Sequence, residues 1–199
     1  MNIKKKVDWK KIEASLRFQI QVLHEELGWF GKEELRNTPG RIMRFYKEWV
    51  EESGDFDLKK FTMFDPVYKG SVKSLIVLRD MDFYSICAHH MLPFFGHAHV
   101  AYLPRRKGKY CGASKLGRAI AKFASKPQTQ EVLSHEVADF LWKGLDPDFL
   151  IVVMEAQHLC MTLRGAKQKE GKLVTSALRY RRGINLSPIK DEALRLMGL

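Results

Sequence analysis

The stretch FLIVVMEAQHLCMTLR, residues 149–164, decides how the rest of the chain is read. It opens on an apolar run with β-branched Ile151, Val152 and Val153 at its centre. Such a run suits a strand, whose side chains alternate between faces with period two. As one long strand it places Ala156, His158, Cys160, Thr162 and Arg164 on one face, with Val153, Leu159, Met161 and Leu163 packed on the other. A histidine, a thiol and a guanidinium then line one surface in order.

A second apolar run, residues 74–87, ends in Cys87-Ala88-His89-His90. A short turn after that strand brings the Cys87 and His90 side chains to one cation. With Cys160 they make three protein donors of the types zinc prefers, and three donors with a fourth position open is the arrangement of catalytic zinc. His89 and His158 are then spare beside the metal and free to move protons. A plainer description also fits, because a free cysteine is among the most buried residue types and a strand histidine is commonly a satisfied core residue. The spacing alone leaves both open. His97 and His99 alternate with Ala98 and Val100, share a face, and read either as structural or as supports behind the metal ligands, whereas His24 and His135 fall in helical segments, in solvated or capping roles.

Around these clusters the chain is simply organised. Residues 8–27 carry Ile12, Leu16, Ile20, Leu23 and Leu27, a helical stripe that stops at Gly28. A helix over residues 38–52 follows, with Thr38 as its cap and Pro39 at its first position. Strands are expected over 96–102 and 173–179, the latter after the polar turn Gln168-Lys169-Glu170-Gly171. Two helices are expected between them, one from Ser114 and one over residues 128–143, bounded by Pro127 and Gly144. This order reads as α+β, with an antiparallel sheet and two helices packed on one face. It divides into an N-terminal helical segment, 1–60, and a catalytic domain, 61–199. Exposed sheet edges call for pairing, so a homo-oligomer is expected.

Thirty-four Lys and Arg against 23 Asp and Glu give a formal charge of +11, which favours an anionic partner, either nucleic acid or a phosphorylated small molecule. Three cysteines, an odd number with two in the histidine clusters, argue against a disulfide framework. No apolar stretch reaches membrane-spanning length, and the start lacks the apolar core of a secretory signal; a cytoplasmic location with no membrane contact is expected. Gly112-Ala113-Ser114-Lys115-Leu116-Gly117-Arg118 reads as a helix start capped by Ser114. Lys115 and Arg118 then lie in the first turn, where backbone N–H groups and the helix dipole favour an anion. Thr38-Pro39-Gly40-Arg41-Ile42-Met43-Arg44 offers Arg41 and Arg44 in the same way. Nucleic-acid binding would call for a continuous basic stripe with interleaved aromatics. Only Arg105-Arg106-Lys107-Gly108-Lys109-Tyr110 and Arg179-Tyr180-Arg181-Arg182 approach that, which argues against it.

Taken together and in order, several of these stretches resemble the GTP cyclohydrolase I family. They are Asn37-Thr38-Pro39-Gly40-Arg41, Cys87-Ala88-His89-His90-Met91-Leu92-Pro93-Phe94-Phe95-Gly96, the Gly112–Arg118 segment, Pro127-Gln128-Thr129-Gln130-Glu131, and His158-Leu159-Cys160 through Arg164-Gly165 to Val174-Thr175-Ser176. The resemblance implies a tunnelling fold, in which subunits join their sheets into a barrel, usually as a decamer with sites between subunits. It implies that Cys87, His90 and Cys160 hold Zn2+ with a water in the open position, and that His89 and His158 shuttle protons while the imidazole ring of GTP opens and formate leaves. The product would be 7,8-dihydroneopterin triphosphate. Gln130 and Glu131 would read the guanine edge, and Ser114, Lys115, Arg118, Arg164, Arg41 and Arg44 would hold the triphosphate.

Two departures stand out. Ala88 replaces a glutamate that many members carry beside the zinc cysteine, and the tail from Ala177 to Gly183 replaces an apolar ending. The alternatives are a related tunnelling-fold enzyme of deazapurine synthesis, or a GTP-binding or nucleic-acid-binding protein without the activity.

Overall fold

The computed structural model describes residues 7–52, 63–64, 74–105 and 110–199. The chain forms two compact units, Met1–Glu51 and Glu52–Leu199.

The first unit consists of helices α1 (Trp9–Leu27) and α2 (Lys32–Glu52). Asp8 caps α1 by accepting from the Lys11 N–H at 3.1 Å, and Gly28 ends it in the left-handed region, as its lack of a Cβ allows. Helix α2 corrects the expectation of a start at Thr38. It begins at Lys32 and runs through Pro39. Glu33 and Glu34 lie in its first turn, facing the positive end of the helix dipole, so helix formation begins upstream of the Thr-Pro signal. Arg41 and Arg44 therefore sit well inside the helix, away from free backbone N–H groups, and the phosphate-seat reading based on a helix start fails for both. Arg41 lies 3.8 Å from Glu33.

The second unit is built on a five-stranded sheet of order β5-β2-β3-β6-β7. Its strands are β2 (Ile76–Cys87), β3 (Pro93–Leu103), β5 (Pro127–Gln128), β6 (Phe149–His158) and β7 (Lys172–Tyr180). Three pairings, β2 with β3, β3 with β6 and β6 with β7, are antiparallel, and the short β5 runs parallel to the end of β2. A separate ribbon pairs β1 (Met63–Phe64) with β4 (Tyr110–Cys111). Helices α3 (Ala113–Ala124) and α4 (Gln130–Leu145) cover one sheet face, the one-turn α5 (Leu159–Thr162) follows β6, and α6 (Leu186–Met197) closes the chain.

Period-two alternation sorts the core. Val100, Tyr102, Leu150, Val152 and Met154 face α3 and α4, whose Leu116, Ile120, Leu133, Val137 and Leu141 complete that layer. Ala101, Leu103, Phe149, Ile151 and Val153 face the other way, against Ala193 and Met197 of α6. The two expected helices thus share one face, and α6 is an addition on the opposite one. Among the described residues, no helix is long and apolar enough to cross a membrane.

The strand expected over residues 149–164 stops at His158. Its ladder ends there, since Phe94 is the last β3 partner and Lys172 the first residue of β7. Backbone groups beyond that point turn to one another: the Leu163 N–H donates to Leu159 O at 2.9 Å and the Thr162 hydroxyl to His158 O at 3.2 Å. Cys160 therefore lies on a helical turn, and Met161 and Leu163 are exposed rather than packed. Helix α4 likewise ends later than expected. Asp146, at φ 45°, makes the left-handed cap in place of Gly144, with its N–H on Trp142 O.

Two strand positions carry particular constraints. At Gly96 the chain pairs with Ala156, and a Cβ there would collide with the Glu155 carbonyl oxygen and come within 2.8 Å of the Ala156 Cα. In β2 the register shifts between Leu78 and Met81 around Asp80, which has φ 58°. This bulge turns the Asp80 N–H onto Nδ1 of buried His99 at 3.2 Å.

Gly96→Ala is expected to destabilise the fold by about 3 kcal/mol or more, measured by urea unfolding, because the obstruction is backbone that no side-chain rotation relieves. A second expectation concerns pH. Burial holds His99 below its ordinary value of 6.5, against the opposing pull of Asp80. The unfolded chain then binds the extra proton first, so stability is full above about pH 6.5 and falls as pH drops from there towards the lowered folded value. His99→Asn, which keeps an acceptor for Asp80 but cannot titrate, is expected to flatten the slope of unfolding free energy in that window.

Candidate metal centre and substrate site

The β2–β3 connection is shaped to present its side chains. Cys87 is the last residue of β2; its N–H donates to Leu92 O at 2.8 Å, and the Met91 N–H donates back to Cys87 O at 2.8 Å. Met91 takes φ 54° to make the return. Pro93 then restricts Leu92 to extended backbone, and β3 begins. On the other side, Cys87 pairs with Gln128 of β5, whose carbonyl accepts the Ala88 N–H at 3.1 Å. The Gln128 amide in turn donates to Phe123 O and Lys126 O, tying the end of α3 to this turn.

Cys87, His90 and Cys160 come together as expected. Each offers a donor atom, and the three atoms lie within 4.8 Å of one another, the only such group among the described residues. Tetrahedral zinc, with bonds of about 2.0–2.3 Å, places its ligand atoms roughly 3.5–3.8 Å apart. His90 Nδ1 lies 3.9 Å from the Cys87 sulfur, close to that spacing. Two thiols and an imidazole form a donor set that zinc favours, and three donors leave a fourth position, so the residues fit the metal. His89 lies 3.8 Å from the Cys87 sulfur but falls outside the group. Burial raises the Cys160 thiol above its ordinary value and the neighbouring Cys87 adds to this, with Arg164 pulling the other way. The third cysteine, Cys111, has its thiol pushed up to about 12 by burial and remains a neutral packing group.

His158, at the end of β6, is buried and stacks on Phe94, with ring centroids 4.5 Å apart and planes 5° from parallel. Burial holds it below its ordinary value, opposed by the Glu131 carboxylate, which places Glu131 within electrostatic reach of His158. Glu131 itself is exposed in the first turn of α4, whose cap is Thr129. Gln130 departs from expectation. Its side chain is wholly buried and bonded to His158, Met154 and Leu173, so it cannot lie along a substrate edge.

Ser114, Lys115 and Arg118 lie on the opening turns of α3, but Ser114 is not the cap; Gly112 holds that position without a side-chain bond. The start of α3 is also distant from Cys87 and Cys160. The Cys111 N–H donates to the Tyr102 hydroxyl at 3.1 Å, so α3 begins at the Tyr102 end of β3, whereas His158 pairs with Phe94 at the other end. Eight strand residues separate those ends by about 26 Å. One copy of the chain therefore does not bring Ser114, Lys115 and Arg118 to its own Cys87, His90 and Cys160.

The basic tail is largely neutralised within the chain. Arg179 donates to Asp139 at 2.8 Å and contacts His135; Arg181 pairs with Asp146, which also accepts from Arg105 at 2.8 Å. Arg181 also lies over the Trp142 ring, 5.6 Å from its centroid. These pairings remove the tail as a basic stripe. Residues 106–109, which carry the rest of the other basic run, lie outside the described residues.

The profile of the family described as GTP cyclohydrolase I matches residues 16–186. The chain belongs to the GTP cyclohydrolase I family. It is an enzyme of that family, and its α+β sheet with helices is the architecture expected from the resemblance. Among curated proteins it is 41% identical over 192 residues to a GTP cyclohydrolase 1 of Sulfurihydrogenibium sp., covering 96% of each chain. It is also 41% identical over 193 residues to one from Aquifex aeolicus, covering 96% of this chain and 97% of that protein. A solved structure, the archaeosine synthase QueF-Like in the apo form, matches at TM-score 0.43 and 14% identity, over 54% of this chain and 95% of that one.

Cobalt offered to the metal-free protein is expected to bind in a tetrahedral site and to show thiolate-to-metal charge transfer. Cys87→Ser and Cys160→Ser should each weaken that band and lower metal affinity at least tenfold, whereas Cys111→Ser should leave both unchanged. Retention of the full band in Cys160→Ser would remove Cys160 from the ligand set.

Proposed function

We propose that this enzyme hydrolyses the imidazole ring of GTP with the help of bound zinc, releasing formate and forming 7,8-dihydroneopterin triphosphate. The observation that carries the reading is the gathering of Cys87, His90 and Cys160 at one sheet end beside His158 and within reach of Glu131, in a chain of this family. Zinc held by those three residues would supply Lewis-acid activation of water near neutral pH.

The chain's own groups do the rest. Glu131 accepts hydrogen bonds from N1–H and the 2-amino group of guanine, an arrangement only a carboxylate acceptor satisfies in full. His158 and His89 take and return protons as the ring C–N bonds break, and the lowered affinity of buried His158 for a proton keeps it neutral and able to accept. Lys115 and Arg118, with Ser114 and Arg164, hold the triphosphate. Arg41 and Arg44 remain proposed triphosphate contacts on the strength of the family resemblance alone.

The anion seat on α3 and the metal donors stand at opposite ends of one sheet. We therefore read the working site as shared between copies of the chain in a homo-oligomer, a decamer by resemblance, with α3 of one copy facing the cysteines of another. The three free cysteines suit a cytoplasmic enzyme.

Zinc-loaded protein incubated with GTP is expected to release formate and to give a fluorescent pterin after oxidation. His158→Ala should lower turnover by about 100-fold or more. Intact GTP alongside fully bound zinc would rule the reaction out. Co-expressing Cys160→Ser with Lys115→Ala should restore part of the turnover that each variant lacks alone; no recovery in mixed oligomers would place the whole site within one copy.

A further inference from the structure

Gln130 is a glutamine with no exposed surface on a helix whose buried face is otherwise apolar apart from Ser134, and its amide makes an ordered set of contacts. Its Nε2 lies 3.0 Å from Met154 O, 2.9 Å from Leu173 O and 3.1 Å from the Thr175 hydroxyl. Two of these partners are backbone carbonyls, which only accept, so the atom facing them is the amide nitrogen. The opposite amide position would set an oxygen against two carbonyl oxygens. The hydroxyls agree: Ser134 donates to Gln130 O at 2.6 Å and lies 2.8 Å from Thr175, which leaves the Thr175 oxygen free to accept from the amide.

With the amide fixed, its Oε1 is the atom 2.8 Å from His158 Nε2. That oxygen can only accept, so the hydrogen of the neutral imidazole must be on Nε2, and Nδ1 is the nitrogen with a free lone pair. The parallel stack on Phe94 holds the plane of the ring, and a half-turn would place a carbon against Oε1.

We propose that Gln130 is a positioning residue that sets His158 in its Nε2–H tautomer, with Nδ1 as the nitrogen available to accept a proton. The carbonyls of β6 and β7 orient the amide, and the amide selects the tautomer. For its consequence in catalysis the inference rests on the cyclohydrolase reading above, in which His158 moves protons; the tautomer itself does not depend on that reading.

The test uses zinc-loaded protein with 15N in its histidine rings and 13C in its glutamine side chains, studied by solid-state NMR near pH 8.5, about two units above the ordinary histidine value. His158 is identified by contact between its ring nitrogen and a glutamine side-chain carbonyl carbon, and by its absence in His158→Gln. In the wild type the protonated nitrogen is expected to be Nε2. A proton found on Nδ1 would overturn the proposal, and this measurement needs no folded variant of Gln130.

Gln130→Met, of similar length but without the acceptor, is expected to give a mixture of tautomers. Its kcat on GTP should fall about tenfold or more, with KM within about twofold of wild type. Gln130→Glu should restore the Nε2–H form and most of kcat, because a carboxyl group held neutral against the two carbonyls still presents an acceptor to His158. An unchanged tautomer and kcat in Gln130→Met would defeat the assignment. Wild-type protein with the Nε2–H form but no turnover of GTP would instead defeat the cyclohydrolase reading and leave the positional role of Gln130 standing.

Discussion

The register of β3 on β6 is the constraint on which the rest of the second unit depends. The pairing runs unbroken from Phe94 opposite His158 to Leu103 opposite Phe149. It passes through Gly96, where the strands approach so closely that only a glycine fits. One end of this ladder stacks His158 on Phe94 beside the turn that carries Cys87 and His90. The other sets Tyr102 to receive the start of α3. Because strand side chains alternate with period two, a slip by one residue would turn His158 away from Gln130 and move the Val100–Val152 layer out from under α3 and α4. The same pairing that builds the core therefore aims the chemistry.

Much of this was legible in the sequence because hydrophobic period and ligand chemistry are local signals. Ile12, Leu16, Ile20 and Leu23 mark α1 without help from elsewhere, and the Cys87/His90/Cys160 set follows from residue type and the turn after β2. The failures have physical causes. Thr38-Pro39 is a good start signal, but the acidic turn at Glu33 and Glu34 already favours a helix before it. Residues 159–163 have the composition of a strand and lack partners, so they coil; strand formation is decided by neighbours that a local pattern does not contain. Ile189, Ala193 and Met197 after Asn185 carry a helical period that marks α6, although basic residues precede it. Adjacency to Glu131 suggests a substrate contact at Gln130, yet consecutive helical residues point about 100° apart, and one faces out while the other is buried.

Charge shows the difference between composition and arrangement. A formal +11 suggests a basic surface, but Arg105, Arg179 and Arg181 are engaged with Asp139 and Asp146 around the end of α4. Asp146 adopts a left-handed backbone there and receives two guanidinium groups, so these cations secure a chain reversal. Lys115 and Arg118 on the opening turns of α3 and Arg164 after Cys160 have no ion pair of this kind among the described residues.

Strand β7 is the outermost in the sheet, and its role is larger than its place suggests. Its Leu173 carbonyl and Thr175 hydroxyl help hold the Gln130 amide, so the edge strand belongs to the frame of the site. It is fastened along one side by β6, while its other side is bounded by nothing within the sheet. Sliding β7 along its own axis would carry the carbonyl with it and loosen the amide, and the imidazole would follow. In mechanical terms the reactive end of the molecule is gauged from its margin, and the tolerance on that margin becomes the tolerance on the chemistry.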